Sequence, residues 1–123
     1  MTVKLLLLKS GEDIIADVQE MLSSDQKVIG YFLNRPCVVK MRYNNTQEAK
    51  TEKEHKAEFQ VSLHPWMPLS KEKVIPLTTE WVVTMVTPIQ KLYEMYIEDV
   101  LNYGNENNQN SSINEQSDTN NSD

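Results

Sequence analysis

Few residues in this chain are of a type and spacing that could do chemistry. They are His55 and His64, the single cysteine Cys37, the adjacent carboxylates Glu12 and Asp13, and Tyr93, Tyr96 and Tyr103. Neither histidine is spaced with carboxylates or with Cys37 as metal ligands would be, so both read as exposed loop residues. Cys37 lies inside an apolar stretch, which describes a buried, inert thiol better than a nucleophile. Glu12-Asp13 fall in a turn-forming segment, where solvated charge is the plainer reading, because a catalytic pair needs partners that this sequence does not supply. The three tyrosines recur at helical spacing and read as packing ahead of a base-stacking platform. Gly11, Gly30 and Gly104 stand alone, so no glycine loop cradles a phosphate. The expectation is a protein that is not an enzyme and uses no cofactor, no metal and no small-molecule substrate.

The elements that would position these residues fit a single domain. The chain has 123 residues, with 18 acidic and 12 basic side chains and a net charge of −6. Residues 105–123 hold one apolar side chain, Ile113, and four acids with no base. Such a segment cannot bury enough apolar surface to offset its ordering entropy, so it is expected to be a disordered acidic tail. Without it the balance is 14 acids to 12 bases, a net −2. Mild acidity argues against a large phosphate-binding face, though a small basic site remains compatible with it. One cysteine allows no intramolecular disulfide, which suits a reducing cytoplasm.

The leucines of "KLLLLKSGEDIIADVQ" pose a compartment question. A secretory signal needs a basic start, about 7–15 apolar residues and a small-residue cleavage site. A membrane helix needs about 20 apolar residues. Here the run is broken by Lys4 and stops at Lys9-Ser10. It reads as a strand buried on both faces, turning at Lys9-Ser10-Gly11-Glu12 with Gly11 at positive φ. The strand after it carries Ile14, Ala16 and Val18 on one face and Ile15, Asp17 and Gln19 on the other.

Residues 27–42 are rich in Val, Ile, Tyr, Phe and Leu and read as a strand in which Pro36 demands a bulge or an edge. Residues 43–56 carry alternating charges and read as an exposed loop or hairpin tip. Residues 57–63, 74–77 and 81–86 are further strand candidates. Thr87-Pro88-Ile89-Gln90 reads as a capped helix start, with Gln90 completing a capping box. Behind it Ile89, Leu92, Tyr93, Tyr96, Ile97, Val100 and Leu101 recur at helical spacing, and Gly104 is a plausible stop. The order is five or six strands and then one amphipathic helix at about 88–103, all within a domain spanning 1–104.

Read as strands, the chain resembles the Sm-like family of small, strongly bent, five-stranded open barrels (SH3-like in outline) that assemble into rings and often bind RNA. Leu5-Leu6-Leu7-Leu8, Lys9-Ser10-Gly11 and Ile14-Ala16-Val18 follow the hairpin of the first Sm motif. Val74-Ile75-Pro76-Leu77, Thr78-Thr79-Glu80 and residues 81–86 follow the rhythm of the second. The texture is similar to short homo-oligomeric Sm-like proteins of marine phage (cyanophage) type. That resemblance implies a mainly β fold, a homo-oligomeric ring and a place in the cytoplasm of a bacterial host.

It also implies sites. The family's loop Asp and Asn, and its Arg-Gly turn, are replaced here by Leu22, Gln26 and Thr78-Thr79. Lys27, Lys71 and Lys73 could form a basic patch beside Gln26 and Thr78, with RNA as the partner. An open barrel has two unpaired edges, and pairing them head to tail closes a ring. One edge would be residues 81–86, with Trp81, Val83 and Met85. The other would offer Phe59, Val61 or Leu63. Trp66 and Trp81 are either anchors of that interface or part of the monomer core. The competing reading is a protein-interaction or assembly module with no nucleic-acid role.

Overall fold

The structure, a computed structural model, describes residues 1–43 and 59–102. Contacts divide the chain into two units, Met1–Thr87 and a second that begins at Pro88. His55, Tyr103, Gly104, most of the charged segment after Tyr43 and the whole acidic tail lie outside the described residues, as does the side chain of Phe59.

The first unit is an all-antiparallel sheet of six strands: β1 (Val3–Leu8), β2 (Asp13–Leu22), β3 (Val28–Tyr43), β4 (Phe59–Pro65), β5 (Val74–Thr78) and β6 (Val82–Val86). The order across the sheet is β4-β3-β2-β1-β6, with β5 also paired to β3. The leucine run is thus an internal strand. Leu6 and Leu8 are buried on one face, while Leu5 and Leu7 are half-buried on the other. Its turn closes as the residues dictate. The Leu8 N–H donates to the Glu12 carbonyl at 3.0 Å and the Gly11 N–H to the Leu8 carbonyl at 2.8 Å. Gly11 sits at φ +90° with nothing within 4 Å of a would-be Cβ, so conformation and not space requires glycine there.

The five-strand expectation becomes six for a local reason. Strand β3 is 16 residues long and changes partner halfway. Gly30 to Asn34 pair with β5, and Cys37 to Tyr43 pair with β4. Between them the register against β2 slips at Ile15/Asp17. Pro36, which has no N–H, occupies that bulge as anticipated, and Arg35 beside it adopts φ 51°. The connector between β4 and β5 satisfies the backbone there. The Trp66 N–H donates to the Pro36 carbonyl at 2.9 Å, and the Arg35 N–H donates to the Lys73 carbonyl at 2.7 Å. One edge of β3 therefore carries two short strands, and the strand expected at residues 57–63 is β4, Phe59–Pro65.

Strands β5 and β6 lie on opposite sides of the sheet, yet only a 3-10 turn, Thr79–Trp81, joins them. Four strand spacings across a flat sheet would be about 19 Å, and three residues of 3-10 helix cover about 6 Å. The sheet must therefore curl until its two edges approach. It remains open, because β6 pairs only with β1 among the described residues.

The curl encloses Leu6, Leu8, Ile14, Ala16, Leu33 and Leu77, with Val18, Tyr31, Val38, Trp66, Val82 and Met85 packed against them. Leu6, Leu8, Ile14 and Leu33 are at most 1% exposed. Each such side chain is worth about 1.5–3 kcal/mol of burial, and together they hold the strands in register.

In the second unit, α1 (Gln90–Tyr96) continues into a π-helical turn, Ile97–Asn102. Leu92 and Tyr96, four residues apart, are its buried side chains. The anticipated cap is absent. Ile89 is the cap residue, extended at ψ 157° and without a side-chain cap bond, and it is exposed instead of belonging to the apolar face. A residue before proline is biased to extended backbone, which keeps Thr87 out of the cap position. Its hydroxyl instead accepts a hydrogen bond from Lys4 Nζ at 3.1 Å. Gln90 donates to Glu94 Oε2 at 3.1 Å and closes no capping box.

Candidate assembly edges and the adjoining cleft

Among the described residues, the two ends of the sheet present backbone edges with no further strand and apolar side chains together. On β6, Val83 is 58% and Val86 46% exposed, and Trp81 just before it is 44% exposed. Met85, half-buried, turns inward onto the core. The opposite edge is shared by β4 and β5. Val61 and Leu63 on β4 are half-buried, and Val74 on β5 is 46% exposed. Pro76 sits in β5, where an edge strand tolerates a missing donor.

The tryptophans have separate places. Trp66 packs against the core, and its indole N–H donates to Glu12 Oε1 at 3.3 Å. Glu12, which also accepts from the Ser10 hydroxyl at 2.9 Å, is therefore a half-buried partner and not an ordinary solvated charge. Trp81 lies in the 3-10 turn, where its carbonyl accepts the Lys9 N–H at 3.0 Å and its ring remains outside the core cluster.

The residues expected to meet RNA fall into two groups. Gln26, at φ 69°, and Lys27 close the β2–β3 turn. There the Ser23 hydroxyl accepts the Lys27 N–H at 3.2 Å and donates to Asp25 Oδ1. Thr78 pairs with Gly30 near the same end of β3, and all three side chains are exposed. Lys73 adjoins Val74, which pairs with Asn34 at the far end of β5. Val74 and Thr78 are four residue steps apart along β5, about 13 Å. Lys71 lies further out in the connector. Gln26 and Lys27 stand in the turn just before the end of β3 at which Thr78 pairs with Gly30, whereas Lys73 adjoins the other end of β5 and Lys71 lies in the connector.

Gly30, which the sequence gives no reason to single out, decides how closely β5 approaches. A Cβ there would lie 2.7 Å from the Leu77 carbonyl oxygen. Cys37 is 4% exposed, and its thiol donates to the Arg35 carbonyl at 3.7 Å. Burial pushes this thiol up from its ordinary 9.0, and the Arg35 guanidinium offsets part of the rise. Its burial agrees with the packed sulfur expected. His64 is on β4 and not in a loop, with its Nε2 2.9 Å from the Ser62 hydroxyl.

A cleft of 430 Å³ opens beside β6. Its floor is apolar, made by Val18, Tyr31 and Met85, and its rim is Thr2, Lys4, Gln19 and Glu20. Alternation on β1 and β2 explains it. Lys4 and Val18 continue the faces that carry Leu6 and Ala16, so the cleft is an end of the core that the described residues leave unfilled.

A comparison with known families now has a geometry to meet. The profile of the Sm_like domain matches residues 2–97. The chain belongs to the Sm-like family. The match covers the sheet and α1, including the β1–β2 hairpin and the β5–turn–β6 segment on which the resemblance rested. In this chain β4 and β5 are two short strands along one edge of β3, and α1 follows β6 in sequence. No curated protein matches the chain. No described helix is long and apolar enough to cross a membrane.

Proposed function

We propose that this Sm-like protein is a non-enzymatic assembly subunit whose copies join head to tail, β6 of one against the β4/β5 edge of the next, until a ring closes. The observation that carries the reading is the pair of open edges on one curled sheet, each bearing exposed valine. An edge of this kind is a template for another chain, and a heterologous contact repeated about an axis gives a ring. RNA is the ligand class we assign to the corner marked by the β2–β3 turn and Thr78, where the side chains of Gln26, Lys27 and Thr78 are each exposed. The host-cell cytoplasm and a phage origin belong to the same reading.

Light scattering of the full chain tests the assembly. A multiple of the protomer mass is expected, and Val83→Lys, which places a charge on the β6 edge, should return it to the protomer mass. A wild-type monomer at about 100 μM refutes it. For the ligand, filter binding of a short single-stranded RNA should weaken in Lys27→Ala and fall with salt at a shallow slope, since each phosphate contact contributes only about −0.7 to it. The protein-only reading draws support from the separation of Lys71 and Lys73 from the corner and from the net charge of −6. No retention of RNA even at low salt would decide for it.

A further inference from the structure

Leu69 is 99% exposed, the extreme for a large apolar side chain among the described residues, and Met67 beside it is 50% exposed. They lie on the connector between β4 and β5, which is pinned rather than loose. Trp66 anchors one end in the core, and the Lys73 carbonyl is bound by Arg35 at the other. Between them the Ser70 N–H donates to the Met67 carbonyl at 3.1 Å, and the Ser70 hydroxyl accepts the Glu72 N–H at 3.0 Å. A leucine held out on a braced loop presents an anchor whose ordering cost is already met.

We propose that Leu69 of one subunit seats in the cleft of the next, on the floor made by Val18, Tyr31 and Met85. The inference rests on the head-to-tail assembly above and specifies its register. Strands β5 and β6 are both five residues long, and every pairing in this sheet is antiparallel. Antiparallel pairing of β6 with a neighbour's β5, centred on Thr84 and Pro76, sets Val86 against Val74 and Val82 against Thr78. The neighbour's connector then leaves Val74 beside Val86. Val86 pairs within its own chain with Leu5, the residue next to Lys4 on the cleft rim. The apolar loop thus arrives at an end of the core that the described residues of its own chain leave unfilled. Charge agrees as well, since Glu20 on the rim would face Lys71 and Lys73 of the incoming connector. The cleft is complete only with the second copy.

The test uses full-length protein carrying Leu69→Cys together with Glu20→Cys, two exposed positions, oxidised and run without reductant. A ladder of disulfide-linked chains is expected from the double variant and not from either single one. Leu69→Asp should raise the dissociation constant of the assembly about tenfold to a hundredfold, the scale of one leucine burial, with unchanged urea unfolding of the protomer. If the wild type assembles but the double variant gives no ladder, and Leu69→Asp assembles like wild type, the seating is refuted while the ring stands. A ladder from Leu69→Cys with Ser10→Cys, at the other end of β6, also refutes it, because the strands would then run the other way. A wild-type monomer overturns the assembly itself and this register with it.

Discussion

Gly30→Ala tests whether the close approach of β5 to β3 organises the outer edge of the sheet. The added Cβ would stand 2.7 Å from the Leu77 carbonyl oxygen, against an ordinary contact of 3.4 Å or more. The obstruction is backbone, so β5 must retreat by about 0.7 Å. Leu77 is a core residue paired opposite Tyr31, and Thr78 is paired with Gly30 itself. Retreat therefore loosens both the core and the ladder. Overpacking of this kind costs about 1–3 kcal/mol, while alanine recovers about 0.5–1 kcal/mol of glycine's conformational entropy. The net expectation is a destabilisation of about 1–2 kcal/mol. Urea unfolding followed by circular dichroism, at one fixed protein concentration because assembly couples to stability, should show a lower midpoint with an unchanged slope. Gly11→Ala is the informative comparison. Its Cβ meets nothing, so its loss of about 1–2 kcal/mol would come from φ +90° alone and would leave the β5 edge and assembly intact. A Gly30→Ala midpoint equal to that of wild type would refute the packing argument.

The two tryptophans should separate by assay. Trp66→Phe removes the indole donor to Glu12 and some core contact, and should lower protomer stability by about 1–2 kcal/mol in the same urea experiment. Trp81→Phe should leave that midpoint within about 0.5 kcal/mol and show its effect, if the β6 edge assembles, in light scattering. Cys37 predicts a pH dependence. Its thiol is raised in the folded state, so the unfolded chain gives up that proton first as pH rises. The contribution is complete below the ordinary value of 9.0 and is lost as pH climbs through the higher folded value. Wild type should therefore lose more stability above pH 9 than Cys37→Ala does, and equal slopes would refute the assignment. In the native protein the same thiol should react with a disulfide reagent only at the rate of unfolding.

Local pattern determined much of this protein by itself. The leucine run, interrupted by Lys4 and closed at Gly11, could only be a strand and turn, because its length excludes a membrane span and its glycine supplies the positive φ. Alternation placed Ile14, Ala16 and Val18 on the core face, and Pro36 announced the bulge where β3 changes partner. The Sm-like assignment was legible for the same reason, since its motifs are contiguous hairpins.

Long-range pairing decided the rest. That β4 and β5 share one edge of β3 depends on Arg35 and Pro36 meeting residues thirty or more positions away, which no local period encodes. Thr87, held out of the cap by Pro88, instead accepts a hydrogen bond from Lys4 on the neighbouring strand, a partner 83 residues distant. Lys71 and Lys73 parted from Lys27 because strand register, not composition, sets where a charge stands. Gly30 and the cleft beside Met85 arise only where separate strands converge, so their meaning lies in space and not in sequence.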